Sequence, residues 1–389
     1  MPASPSTARA INDRHALQLL QQEGPLTAGQ LKTRTGLSRP TVADLVERLQ
    51  GSGLIQVVGE AGTERRGPNA RVYGIVADRA HLAALDVRTQ SVTVVVADLL
   101  GVTLAEASLP IGSDTGTEPA VEQAVALLER TAREAGAPRL HSVGIGAPGL
   151  IDPVTGELRD TSGLPAWHRR LVAALQERLP ARVLVENETN LAAVAEQRLG
   201  AARDRDTFVL LWLGHGVGAA LFLDGRLRKG ASGGAGEIGF LPVPGTTGTP
   251  SAVDCGGGFH SLAGSAAICE LAADHGVGAD RRGEPPAAEL VRSAVAAGRG
   301  DFLDALAHRL SLGVAAVAAV LDPGCVVLGG EVGHAGGAEL AARVESRVAG
   351  LSPLRTEVRA GELGGTAVLS GALLTAREAA QNELFTPGG

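Results

Sequence analysis

Aromatic residues make up only 2% of the 389-residue chain: two Trp, one Tyr and six Phe. An interior with so few large rings must be built from Val, Leu and Ala and from close backbone contacts. The three cysteines, Cys255, Cys269 and Cys325, are odd in number and form no Cys-x-x-Cys pair. That excludes a disulfide framework and points to a reducing compartment. The opening stretch "MPASPSTARAIND" lacks the apolar core of a signal peptide. The longest apolar run, Leu312–Leu321, falls far short of the roughly 20 residues a membrane helix needs. The chain is therefore expected in the cytoplasm, with no membrane partner.

What is present fits a globular protein of more than one unit: 44% of residues are hydrophobic and 20% charged. A single core rarely grows past about 250–300 residues. Charge is unevenly spread. Residues 1–75 hold nine Arg/Lys against six Asp/Glu, a surplus of three positive charges. The whole chain is −7, which leaves −10 for the rest. A basic head on an acidic body suggests nucleic-acid binding by the head, although the bias is mild.

The head, residues 1–75, parses into three helices. Ala16, Leu17 and Leu20 form the inner face of the first, which stops at Gly24-Pro25. Thr27 with Gln30 makes a capping box for a second helix through Arg34. Gly36 turns the chain, Leu37 plugs the space between helices, and Ser38 caps a third helix that tolerates Pro40 in its first turn. There Val42, Leu45, Val46 and Leu49 share one face, so Arg39, Thr41, Asp44 and Arg48 point away from the core. This is helix-turn-helix geometry, whose reading side chains (Ser38, Arg39, Thr41, Asp44 and Arg48) would face a major groove. Two β-prone runs then flank a Gly/Arg/Pro loop that reads as a wing. Its Arg65, Arg66 and Arg71 suit phosphate or minor-groove contact. The alternative is a small helical interaction module with solvated arginines.

The body shows a weak internal repeat. "HLAALDVRTQSVTVVVADLLGVTLAEASL" reads as three strands joined by tight turns, and "DTFVLLWLGHGVGAALFLDGRLRKG" repeats the plan. Each copy leads into helices alternating with short apolar strands: Val143–Ile145 and Val183–Val185, then Val326–Leu328. Two similar α/β lobes, residues 80–200 and 201–389, with a cleft between them are predicted.

The body resembles the ROK family (repressor, open reading frame, kinase). The likeness rests on "VGIGAPGLIDPVTGEL", "LPAWH", "VENETNLAAVAE", "LGHGVGAALFLDGRLRKGASGGAGEIGF" and "VVLGGEV", in family order behind a winged head. The layout is that of the family's xylose-repressor-like branch. The resemblance implies a duplicated, actin-like (ribonuclease-H-like) α/β body carrying a mainly α winged helix-turn-helix. It also implies a homodimer or dimer of dimers on a double-stranded operator, and a sugar or sugar-derived effector.

Family sugar kinases carry Asp-x-Gly-Gly-Thr-Lys at the first strand turn, where bare backbone N–H groups cradle phosphates. Here Asp86 is kept, but Val87-Arg88-Thr89-Gln90-Ser91 has neither glycine nor lysine. Gly214-His215-Gly216-Val217-Gly218 keeps the glycines of the family's second loop. Kinases have Asn-Asp where this chain has Asn187-Glu188. One extra methylene moves a carboxylate by about an ångström, enough to cost on the order of a hundredfold in rate. Glu188 is thus expected to be a ligand hook, or else simply a carboxylate favoured at a helix N-terminus. Asn187, Glu188, Glu237 and His260 form the expected ligand set. Glu237 could instead satisfy its glycine-rich loop, and His260 aligns only with a gap. The family zinc site needs four N/S ligands, of which Cys255 and His260 alone remain near the loop, Phe240 standing where a His belongs. No zinc or other cofactor and no kinase activity are expected. The rival readings are a sugar kinase with a fused head and a DNA-binding regulator without a ligand.

Overall fold

The computed structural model describes residues 5–61, 69–159, 165–246, 248–251, 256–279 and 285–385. In the head, α1 (Pro5–Glu23) buries Ala16, Leu17 and Leu20. Helix α2 (Ala28–Thr35) opens on the capping box: Gln30 N donates to Thr27 Oγ1 at 3.2 Å, and Thr27 N donates to Gln30 Oε1 at 2.8 Å. Gly36, at φ 70°, ends the helix in the left-handed conformation that favours glycine. Ser38 caps α3 (Arg39–Gly51). Strands β2 (Ile55–Ala61) and β3 (Ala70–Ile75) pair antiparallel. A two-residue strand that the sequence reading missed, β1 (Leu26–Thr27), adds to β3 and completes a three-stranded sheet. It is too short to carry a period.

The first body sheet has strand order β6-β5-β4-β7-β8. It is built from β4 (His81–Arg88), β5 (Ser91–Asp98), β6 (Thr103–Pro110), β7 (Ser142–Ala147) and β8 (Arg182–Asn187), with α4 (Thr117–Glu134), α5 (Ala166–Arg178) and α6 (Glu188–Leu199). The central strand β4 is buried almost throughout because it is covered on both faces, so its apolar run is continuous rather than alternating. The second sheet has the matching order β11-β10-β9-β12-β13. Its strands are β9 (Phe208–Leu213), β10 (Val217–Leu223), β11 (Arg226–Arg228), β12 (Cys325–Gly329) and β13 (Glu357–Ala360). Its helices are α7 (His260–Ala263), α8 (Ser265–Asp274), α9 (Pro286–Ala296), α10 (Gly300–Leu321), α11 (Gly330–Leu351) and α12 (Ala367–Leu384). In each sheet the first three strands are antiparallel and the last two join in parallel. The shared order is the duplication that the repeat predicted.

Helix α10 is long and apolar enough, by length and composition, to cross a membrane. Its Phe302, Leu303, Leu306, Leu310 and Val314 lie in the second lobe's core, which accounts for that composition.

The expected boundary at residue 200/201 needs one correction. Helix α12 does not stay with the second lobe; it lies on the first sheet, so close that a Cβ added to Gly144 of β7 would sit 2.2 Å from the Ala372 carbonyl oxygen. Helix α6 in turn approaches the second sheet, where Gly218 of β10 faces Thr189. Together α6 and α12 form the core between the lobes, with Leu191, Ala192, Val368 and Ala372 packed among Leu210, Trp212 and Val327. The end of α12 also reaches the head: Ala376, Ala380 and Phe385 share a core with Leu17, Leu20 and Ile75. A sequence cut cannot show this, because packing assigns the last helix to elements far back in the chain.

Candidate effector cleft and DNA-reading surface

A cavity of about 260 Å³ opens between the lobes, lined by Asp86 and Arg88 of β4, Glu188 of α6, Trp212, His215 and Glu331 of α11 among others. Arg88 dominates its geometry. Its Nε donates to Asp86 Oδ2 at 2.9 Å, Nη1 to Glu331 Oε1 at 2.7 Å, and Nη2 to the Gly365 carbonyl at 3.0 Å. The two carboxylates come from different lobes, so one guanidinium ties the lobes together across the cleft. Burial opposes the Arg88 charge, but Asp86 and Glu331 outweigh it and raise the Arg88 pKa. Burial also raises the Asp86 pKa, against the lowering effect of Arg88.

Two supports hold this arrangement. Gly330, at φ 75°, brings α11 so near the β9 end that a Cβ would lie 2.4 Å from the Leu213 carbonyl oxygen. Buried His168, from the "LPAWH" motif, donates Nε2–H to the Arg88 carbonyl at 3.2 Å, since that oxygen can only accept. Burial lowers the His168 pKa to about 4, so the ring is neutral at physiological pH. Sequence reading gave Arg88 notice only as a departure from a loop pattern, and missed Glu331 and His168. Of the Arg88 partners, His168, Glu331 and Gly365 are 80, 243 and 277 positions away, where spacing carries no signal.

The predicted ligand residues are placed as follows. Glu188 lines the cavity, half-buried, with its Oε2 accepting from Asn187 Nδ2 at 3.1 Å. Asn187 is spent on structure: its Oδ1 caps α6, accepting from Thr189 N at 2.8 Å, and Nδ2 also donates to the Gly149 carbonyl at 3.0 Å. It positions Glu188 and has no bare polar atom to turn to a ligand, which corrects its expected role. Buried Glu186, unremarked in the sequence beyond its carboxylate, accepts from Asn187 N and Asn190 Nδ2 and pairs with Lys229 across the lobes. Glu237 is exposed at the start of a single helical turn, near enough that its charge helps raise the Glu188 pKa. The His260 ring packs against Gly216 and Gly264, and burial lowers its pKa. Cys255 lies outside the described residues. Among the described residues no three His, Cys, Asp or Glu side chains converge as metal ligands.

Burial, and after it the charges of Asp86, Glu237 and Glu331, push the Glu188 pKa up to about 8. In the unfolded chain this group ionises near 4.3, so between about pH 4.3 and 8 the folded state holds the extra proton. Stability contributed by the neutral acid is present below the unfolded value and is lost as pH rises through that window. Glu188→Gln removes the linkage. The melting temperature of the variant should rise relative to wild type from pH 5 to pH 8.5 and level off above; a difference independent of pH would refute the raised pKa.

On the head, Arg39 and Asp44 are exposed on the outer side of α3. Thr41 is half-buried, its hydroxyl 2.8 Å from Ser38 Oγ, so both hydroxyls are engaged in the cap. Arg48 departs from expectation. Its Nη2 donates to Asp13 Oδ1 at 2.6 Å and Nε to Oδ2 at 3.3 Å, locking α3 to α1 through a carboxylate that is 6% exposed. The hydrogen bond to Asp13 raises its pKa. Helical periodicity places Arg48 outside the core, but a long side chain can bend back to a neighbouring helix. In this structure it is a strut between helices. Arg71 is exposed on β3; Arg65 and Arg66 lie outside the described residues.

Two like-ordered sheets, a cleft between them with crossing helices, and a winged three-helix head define an actin-like two-lobe protein fused to a winged helix-turn-helix module. A family model described as "ROK family" matches residues 82–379, and one described as "MarR family" matches residues 12–66. The chain belongs to the ROK family. It is 28% identical over 244 residues to the DNA-binding transcriptional dual regulator NagC of Escherichia coli K12, covering 60% of this chain and 58% of that protein. It is 37% identical over 207 residues to the bifunctional enzyme NanE/NanK of Brucella suis, covering 52% of this chain and 35% of that one. The matches thus span little more than half, or less, of these relatives' own length. The fold is that of the crystal structure of a ROK family transcriptional regulator described as a homolog of the E. coli MLC protein. That likeness has a TM-score of 0.75 and 22% identity, covering 97% of this chain and 98% of the other.

Proposed function

We propose that the protein is a cytoplasmic DNA-binding transcriptional regulator of the ROK type, with a sugar or sugar-derived effector in the interlobe cleft and no kinase activity. The observation that carries this reading is the Arg88 bridge. Arg88 ends the first strand where the family kinases carry a glycine, and its guanidinium crosses the cleft to be held by both lobes. An effector that fits better when the lobes are parted, or better when they are closed, shifts their equilibrium by its differential affinity. Helices α6 and α12 both begin at the cleft, with Glu188 and Val368 in its lining, and α12 ends in the head core. A change at the cleft therefore has a rigid path to the reading helix. As a homodimer, or dimer of dimers, the protein would present two reading helices to a two-fold operator.

The likeness to NanE/NanK and the placement of Glu188 favour a second reading, a sugar kinase with a fused head. ATP with a panel of hexoses and N-acetylhexosamines separates the two. No sugar phosphate should form above background, and Glu188→Asp should not restore any while Arg88 stays in the turn. Turnover at ordinary kinase rates of about 1–100 per second would establish the enzyme instead. The regulator reading is tested by selecting a duplex site from random DNA with the full chain and repeating the binding with each sugar. If no sequence is enriched, that reading fails.

A further inference from the structure

A second cavity, of about 410 Å³, lies where head and body meet. Arg14 and Gln18 of α1 line it from the head, Arg198 from the last turn of α6, and Arg377, Glu378 and Gln381 from α12. Three guanidiniums from three elements face one carboxylate. None of the three takes part in an ion pair among the described residues. Arg14 donates to the neutral Asn382 amide oxygen at 2.5 Å, and Arg377 donates to the Leu100 carbonyl at 3.0 Å. Arg198 is exposed and meets no hydrogen-bond or ion-pair partner among the described residues. Arg48, Arg88 and Arg359, by contrast, each meet carboxylates. Phe222 and Phe385 add an apolar wall.

We propose that this cavity is a second ligand site, for a phosphomonoester of a small polyol such as a sugar phosphate. Guanidinium groups match phosphate oxygens with paired, charge-assisted hydrogen bonds, and a dianion balances the two positive charges that three arginines and one glutamate leave. The aromatic wall suits the carbon skeleton. Burial lowers the Arg377 pKa and the neighbouring Arg198 charge lowers it further, so an anion bound here would favour the charged guanidinium. Because Arg14 sits on α1, which Asp13 and Arg48 lock to the reading helix, an occupant would brace the head against the body. The same helices reach the cleft: Glu188 and Arg198 open and close α6, a separation of about 15 Å at 1.5 Å per residue.

The test is calorimetry on the full chain at constant ionic strength, with glucose 6-phosphate, inorganic phosphate and glucose as probes. It involves no DNA, so its outcome is separate from that of the regulator reading. Glucose 6-phosphate should bind more tightly than inorganic phosphate. Arg198→Glu and Arg14→Ala should each weaken it about tenfold or more, the scale of one charge-assisted contact, with melting temperatures of the free variants close to wild type. Arg292→Ala, an exposed arginine of α9 that lines neither cavity, should leave this affinity unchanged. Three results would overturn the proposal: no binding of glucose 6-phosphate, binding indifferent to both junction variants, or binding lost equally in Arg292→Ala. A fourth would also overturn it, namely random duplex DNA binding that depends on Arg14 and Arg198 while glucose 6-phosphate has no effect, since the arginines would then serve the nucleic-acid backbone.

Discussion

Arg39→Ala is expected to weaken operator binding by about 5- to 150-fold while leaving binding to random duplex nearly unchanged. The range corresponds to the roughly 1–3 kcal/mol carried by a bidentate contact to a base edge. Arg39 is the first residue of α3, exposed, at the positive end of the helix where groove contact begins. Arg48→Ala should behave differently although both arginines were expected on the same reading face. It strips the partner from Asp13, a nearly buried carboxylate, and leaving such a charge uncompensated costs about 1–3 kcal/mol or more of stability. Its signature is a lowered melting temperature and weaker binding to operator and random DNA alike. Arg48→Ala with Asp13→Asn should recover much of the loss, since the orphaned charge is then gone. Titrations of both variants on operator and random duplexes, with melts alongside, decide the matter. An unchanged operator-to-random ratio for Arg39→Ala would remove α3 as the reader, and the assignment of the head with it.

Gly144→Ala should destabilise the body by about 3 kcal/mol or more. The added methyl would sit 2.2 Å from the Ala372 carbonyl oxygen and 2.9 Å from its carbon. Both are backbone atoms, so no side chain can swing aside and α12 must lift from β7. Overpacking a filled core typically costs about 1–3 kcal/mol, and here the obstacle is a whole helix. Lifting α12 also disturbs the cleft at Val368 and the head core at Ala376 and Ala380, so effector response and head stability should fall together. Gly350→Ala is the control. No atom lies within 4 Å of its added Cβ, and it sits in α11, where alanine favours the helix by up to about 1 kcal/mol. Urea unfolding midpoints compare the two; equal midpoints for Gly144→Ala and wild type would mean that α12 does not bear on β7 as closely as described.

Much of the architecture follows from local rules that a sequence carries. Thr27, Gln30, Gly36 and Ser38 set the ends of the head helices because capping needs particular side chains at particular spacings. The apolar runs at 82–85, 94–97, 208–213 and 325–328 form strands that are buried on both faces. Repetition of the three-strand plan is visible in the sequence because each copy folds by the same short-range code. Glu188 could likewise be placed at a strand-to-helix junction from its neighbours alone. The tertiary structure decided what long-range packing controls. It sent α12 back to the first lobe, turned Arg48 inward to Asp13, and spent the Asn187 amide on a helix cap. It also joined Arg88 to Glu331, 243 positions away. Spacing in sequence fixes which side of its own helix or strand a side chain leaves from. Which partner it then meets depends on how separate elements pack, and no local period encodes that.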